Sequence, residues 1–268
     1  MIFTDARLAR RLEPWLERVL IVEPNQASAR LLLELLRGGG RRIQVERRFQ
    51  GALEACRQVE PRLILTEVGG RDLEGLRFVR DLRRSDLACR QAAVIVVAAE
   101  ATARVIVAAR NAGVHEFLRK PFTAGDLARR LEAAALHPRD WIEAVGYVGP
   151  DRRRFNSGDY EGPRKRRSDL MASTPAERIE QALRIAKAAV GAVEIDAAQT
   201  IRSLQAQASE LKGLGGMGRD ANLVAAATKL QSALASATEA NLSRLALEAA
   251  TADLWTYLPD EPTAKAVA

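Results

Sequence analysis

The chain has 268 residues, with 41 Lys and Arg against 34 Asp and Glu, a net charge of +7, two histidines and two cysteines. That length suits one domain with a sizeable core plus a smaller one, and the charge permits an anionic partner without requiring one. No apolar run is long enough for a membrane span, and with only Cys56, Cys89, His115 and His137 a disulfide scaffold and a His/Cys-rich zinc site are both excluded.

Such cysteine usage fits a reducing cytoplasm. Residues 1–16 are charged throughout and lack the apolar core of a secretory signal, so a short helical leader is expected there. Arg18 to Asn25, RVLIVEPN, then sets the pattern. Four apolar residues, Val19 to Val22, stop at Glu23-Pro24-Asn25, and a helical pattern over Ala27 to Arg37 begins at once. A short apolar run bounded by a turn and followed by an amphipathic helix reads as the first strand of a parallel sheet.

After Gly38, Gly39 and Gly40 the alternation continues. A strand is expected over Ile43 to Glu46 and a helix over Phe49 to Val59. The third strand, Leu63 to Thr66, ends at Glu67 and the loop VGGRD, before a helix over Leu73 to Arg84. The fourth, Val94 to Val97, ends at Ala98 and leads to a helix over Thr102 to Ala112. A short strand at Glu116 to Leu118, then Lys120-Pro121, then a helix over Ala124 to Ala135 complete the series. Five strands alternating with five helices make an α/β fold, a doubly wound parallel sheet with right-handed crossovers. Working residues of such sheets lie beyond the carboxyl ends of the strands, where Glu23 stands.

Taken together and in this order, VLIVE, LILTE with LEGLRFVRDLR, AVIVVAA and HEFLRKPF resemble the CheY-like receiver domain of bacterial response regulators over residues 17–136. The resemblance implies strand order 2-1-3-4-5 and a site at the ends of strands one and three. Receivers hold Mg²⁺ with two adjacent acids after the first strand and an aspartate after the third, which takes up a phosphoryl group. Here Glu23 matches the first acid, but Pro24 brings no carboxylate to the second position. Glu67 stands at the phospho-acceptor position with one more methylene, and Ala98 replaces the Ser or Thr whose hydroxyl senses phosphorylation. Phe117 matches the aromatic switch and Lys120 the lysine. Mg²⁺ needs near-octahedral oxygen coordination, so losing a ligand makes Mg²⁺ binding and phosphotransfer unexpected, and no metal ligands are assigned. Two readings of Glu67 stay open: it pairs with Lys120 in a retired site, or its carboxylate beside the lysine imitates the phosphorylated state. The missing hydroxyl at Ala98 favours the first.

Residues 137–173 read as a basic linker, disordered or weakly ordered alone. His137-Pro138 ends the preceding helix. An internal repeat follows, Tyr147-Val-Gly-Pro-Asp-Arg-Arg-Arg and Tyr160-Glu-Gly-Pro-Arg-Lys-Arg-Arg. Guanidinium forks at Arg152, Arg153, Arg154, Arg164, Arg166 and Arg167 can grip phosphate and the N7/O6 edge of guanine. Trp141, Tyr147 and Tyr160 offer stacking faces, and Asp151 can accept from guanine N1 and N2. The segment resembles the arginine-rich tails of CheY-like proteins that bind cyclic di-GMP. A cyclic di-GMP ligand and an unstructured solvated linker both stay open. Nucleic acid and anionic lipid stand behind them, since nucleic-acid binding calls for Lys/Arg spread over a folded face.

Residues 174–258 read as an alanine-rich helical bundle. Thr174-Pro-Ala-Glu177 is a capping box, and Ile179, Leu183, Ala186 and Val190 share a face. A second helix over Ala197 to Lys212 uses Ile201, Leu204, Ala208 and Leu211, and Gly213 to Gly218 is expected to turn. Helices over Leu223 to Ala237 and Leu242 to Tyr257 follow, with residues 259–268 a loose tail. The stretch ASELKGLGGMGRDANLVAAATKLQSAL resembles the signature of histidine phosphotransfer domains, with Ser209 where their histidine stands. A bundle of that kind without the histidine relays nothing but can dock on kinases or receivers by shape; an ordinary bundle is the alternative.

No nucleophile-base pair, metal cluster or phosphate loop is legible, so no enzyme is expected. The expected function is a cytoplasmic, non-catalytic signalling adaptor of the response-regulator class. Its receiver takes no phosphate, its linker reads cyclic di-GMP, and its partners are kinases, receivers or motor-type proteins. The alternatives are a phosphorylatable response regulator of a two-component phosphorelay with a helical output, and nucleic-acid binding through the linker.

Overall fold

The computed structural model describes residues 5–38, 40–70, 72–152 and 174–258. They divide into two compact units, one built on a sheet and one on helices, with residues 143–146 belonging to the second.

The sheet unit opens with α1 (Ala6–Leu16) and β1 (Arg18–Val22), then α2 (Gln26–Leu36), β2 (Arg42–Glu46) and α3 (Ala52–Val59). It continues through β3 (Leu63–Glu67), α4 (Glu74–Arg84), β4 (Ala93–Ala98), α5 (Ala103–Asn111), β5 (Glu116–Arg119) and α6 (Ala124–Leu136). The five strands are parallel in the order β2-β1-β3-β4-β5. Val19 to Val22, Leu63 to Leu65 and Val94 to Val97 are all fully buried, which is why they read as unbroken apolar runs rather than alternating ones. Leu20, Val22, Ile64, Val94 and Val96 face α3, α4 and α5; Val19, Ile21, Leu65, Ile95 and Val97 face α1, α2 and α6. Each fully buried aliphatic side chain contributes about 1.5–3 kcal/mol, so these strands anchor the unit.

Two expectations change here. Helix α1 is no detached leader: Leu12 and Leu16, one turn apart, are fully buried in the same core as α2 and α6, and Glu13 pairs with Arg41 at 2.7 Å. The beginning of the expected linker is also ordered. Residues 141–150 form a two-stranded hairpin, β6 (Trp141–Ala144) and β7 (Tyr147–Pro150). Tyr147 and Val148 are buried, and two glycines allow the approach that buries them. A Cβ on Gly113 (φ +87) would lie 2.7 Å from the Val148 carbonyl, and one on Gly149 (φ +150) 2.7 Å from Gly113 Cα. Residues 153–173 and 259–268, expected to be linker and tail, lie outside the described residues.

The helical unit holds α7 (Pro175–Gly191), α8 (Ala197–Gly218), α9 (Ala221–Ala235) and α10 (Arg244–Thr251), extended by a 3₁₀ segment, Ala252–Tyr257. The Thr174/Glu177 capping box forms, and Leu183, Ala186, Leu204, Ala208, Leu211, Ala227 and Leu230 are fully buried in one core. The turn expected at Gly213 to Gly218 is helix instead. Leu211 and Leu214 continue the buried stripe, and a Cβ on Gly215 would meet Val224 Cγ2 at 3.0 Å, so this glycine lets α9 come close. The reversal falls at Arg219 (φ 56) and Asp220, whose carboxylate accepts from Leu223 N at 2.9 Å and starts α9. Glu143 is bound in this unit: Gln199 Nε2 donates to its carboxylate at 2.9 Å, and Ser203 and Gln207 donate to its carbonyl.

Candidate functional site

The ends of β1 and β3 place Glu23 and Glu67 at one edge of the sheet, and the residues following β5 bring Lys120 there. Glu23 is 2% exposed. Its Oε2 accepts from Lys120 Nζ at 2.7 Å and its Oε1 from Asn25 N at 3.0 Å, while Lys120 Nζ also donates to Ser28 Oγ at 3.3 Å. A buried carboxylate must be paired or hydrogen-bonded, and this one has both. Asn25 caps α2 by accepting from Ser28 N at 2.9 Å, so the turn after Pro24 holds both auxiliary groups in place.

Glu67 does not pair with Lys120 as the retired-site reading expects; Lys120 meets the more deeply buried Glu23. Glu67 instead accepts from the backbone N–H of Gly69. Burial, with some help from Glu23, holds its carboxyl above the usual carboxylate range against the opposing pull of Gly69 N–H and Lys120. The loop beneath it is backbone against backbone. A Cβ on Gly75 would fall 1.8 Å from the Glu67 carbonyl oxygen, and one on Gly69 (φ +80) 2.7 Å from Glu74 N. Pro24 contributes its carbonyl to Arg47 Nη2 at 3.1 Å. Ala98 is buried at the end of β4, and Phe117 is turned into the core.

The aromatic and basic residues expected to hold a guanine ligand are only partly described. Trp141 lies beneath two guanidiniums, with Arg83 at 5.3 Å and Arg90 at 5.8 Å from its ring centroid. Tyr147 is no free stacking face: it is buried, its hydroxyl donates to the Pro150 carbonyl, and burial pushes its phenol up to about 12. Arg152 lies 4.4 Å over its ring and donates to Asn111 Oδ1 at 3.1 Å. Asp151 N donates to the Asp140 carbonyl at 2.8 Å. Arg153, Arg154, Tyr160, Arg164, Arg166 and Arg167 lie outside the described residues.

Arg83 escaped the sequence reading, as a charged residue inside an amphipathic helix gives no sign of full burial. Its guanidinium donates to the carbonyls of Gly113 and Ala92, each at 3.0 Å, and of Arg90, and meets His115 Nδ1 at 3.3 Å. Burial pulls it down to about 9. In the helical unit Ser209 is exposed, and its Oγ accepts from Gln231 Nε2 at 3.2 Å.

The sequence model of the response regulator receiver domain family matches residues 19–132. Residues 19–132 are a response regulator receiver domain. The KDP operon transcriptional regulatory protein KdpE of Escherichia coli (strain K12) is 39% identical over 117 residues, 43% of this chain and 50% of that one. A response regulator receiver protein of Anaeromyxobacter sp. (strain Fw109-5) is 33% identical over 106 residues, 40% of this chain and 43% of that one. The chain thus spans about half the length of the curated relatives it matches. Among solved structures, a receiver domain protein from Clostridium thermocellum is similar with TM-score 0.39 and 20% identity, over 44% of this chain and 94% of that one.

Receivers imply a Mg²⁺ ion at this edge, and the donors fit it poorly. Glu23 has one oxygen on Lys120 and the other on Asn25 N, Pro24 brings no carboxylate, and Glu67 turns to Gly69 N. Among the described residues no three His, Cys, Asp or Glu side chains converge as a metal site, and no helix is long and apolar enough to cross a membrane.

Proposed function

We propose that this receiver is a recognition module in a non-catalytic signalling adaptor, and that its carboxyl-edge site does not take up phosphate. The observation that carries this reading is the Glu23–Lys120 pair at 2.7 Å. It ties up the first acid and the lysine together, while Pro24 and Ala98 withhold the second acid and the hydroxyl. The partners are proteins of two-component signalling, with the helical unit as a second docking element. Incubation with acetyl phosphate and Mg²⁺ followed by intact mass should show no adduct; a stable phosphoryl gain on the receiver overturns the reading in favour of a phosphorylatable response regulator.

For the arginine-rich repeat we propose cyclic di-GMP as the ligand. The repeated Tyr-x-Gly-Pro-x-Arg/Lys-Arg-Arg unit supports this, as does Arg152 held over Tyr147 where the first copy begins. Titration calorimetry with cyclic di-GMP should give heat that falls in Arg152→Ala and Arg153→Ala. Heat that is absent, or unaltered by the substitutions, rejects it. Affinity for duplex DNA falling steeply with salt points to the nucleic-acid reading instead.

A further inference from the structure

A cavity of about 310 Å³ lies where β1, β3 and β4 begin, at the edge of the sheet opposite Glu23 and Glu67. Its wall includes Trp15, Arg18, Pro61, Arg62, Cys89 and Gln91. Cys89 sits in a single 3₁₀ turn, Ala88–Gln91, just before β4 and is 7% exposed; Cys56 on α3 is fully buried behind it. The Cys89 thiol donates to the Cys56 carbonyl at 3.6 Å, a contact that brings the two cysteines together across 33 residues of sequence. Both are free thiols.

The two sulfurs are unequal. The neighbouring Cys89 and burial push the Cys56 thiol up, while the Cys56 S–H, with help from the Arg83 cation, holds Cys89 below its ordinary value. A more acidic thiol on a residue that lines a cavity, backed by a protonated one in the core, is the arrangement of an attacking and a resolving thiol. We propose that Cys89 is an oxidation site, reached by a hydroperoxide through this cavity, and that Cys56 resolves it as a disulfide within the sheet unit. The Cys89 thiolate attacks the distal oxygen of the hydroperoxide; the O–O bond breaks, and the leaving alkoxide or hydroxide takes up a proton. Cys89 becomes a sulfenic acid. The Cys56 sulfur then attacks the Cys89 sulfur, the S–O bond breaks, and water leaves with the Cys56 proton. The two thiols are oxidised to one disulfide, and the hydroperoxide is reduced to an alcohol (or water) plus water. A single 3₁₀ turn carrying Cys89 is short enough to move with its sulfur as the bond closes.

The test uses the full chain, reduced and then treated with stoichiometric hydrogen peroxide. After denaturation and alkylation with N-ethylmaleimide, the reduced chain should carry an adduct on each cysteine, and the oxidised chain should carry none and yield a linked Cys56–Cys89 peptide. With dimedone present, Cys56→Ser and Cys56→Ala should be labelled at Cys89, and Cys89→Ser should be unlabelled at Cys56. Two alkylated thiols after peroxide treatment, a disulfide between chains, or dimedone on Cys56 overturns the proposal. The wild-type peptide map decides even if a variant fails to fold.

Discussion

Lys120 Nζ stands 2.7 Å from Glu23 Oε2 across 97 residues of sequence, and the carboxylate it meets is almost wholly buried. The pair therefore serves stability as well as filling the receiver's site. Removing one partner of a buried pair costs about 3–5 kcal/mol because the other charge stays desolvated. Lys120→Ala should lower the unfolding free energy measured in urea by an amount of that order. Adding Glu23→Gln should recover much of the loss, and a double-mutant cycle measures the coupling.

Glu67 is the reverse case. Its carboxyl is held above the ordinary value, so the folded chain binds this proton more readily than the unfolded chain, and stability is lost as the pH rises from the ordinary range through the raised value. Glu67→Gln keeps an oxygen for Gly69 N–H and removes the charge. The variant should be more stable than wild type at pH 8, with the gain shrinking as the pH falls through the raised value and towards about 4.3, the ordinary glutamate range. Urea denaturation across that range checks both sign and window.

His115 is neutral in the fold. Burial, Arg83 and Arg139 hold its imidazole well below its ordinary value, and Nδ1 accepts from Val94 N at 3.1 Å. The unfolded chain takes up this proton below about 6.5 and the folded chain does not, so stability present above that pH is lost as the pH falls. His115→Gln should flatten the stability profile between about pH 7 and 5, where carboxylates contribute less.

Gly75 faces the Glu67 carbonyl with no room for a methyl group. Gly75→Ala must displace α4 or the β3–α4 loop, and a loss of more than about 2 kcal/mol is expected by thermal or chemical denaturation.

The strands were the most legible part of the chain, since VLIV, LIL and VIVV are buried on both faces and no other element of that length reads so. Glu23, Glu67, Ala98 and Lys120 could be placed at the strand ends for the same reason. Which acid takes Lys120 could not be read, because the answer depends on relative burial at two strands distant in sequence. Asn25 was visible only as part of the turn after the first strand and Ser28 not at all, although that turn is what satisfies Glu23 and Lys120. The hairpin was hidden by Gly146, Gly149 and Pro150 and by the arginine run that follows it, and its burial of Tyr147 depends on two glycines 36 residues apart (113 and 149) meeting. Gly213 to Gly218 misled for the opposite reason: glycines read as a turn served as a close helix contact at Gly215, and the Asp220 cap marked the true reversal.

Fluorine NMR of the full chain with Mg²⁺ and beryllofluoride, a stable mimic of the phosphoryl group, tests the account most directly. Free fluoride and beryllofluoride resonances alone, unchanged by adding protein, are the predicted result. Bound-fluoride resonances that require Mg²⁺ and disappear in Glu67→Gln would show that this edge still grips metal and phosphate, and would contradict it.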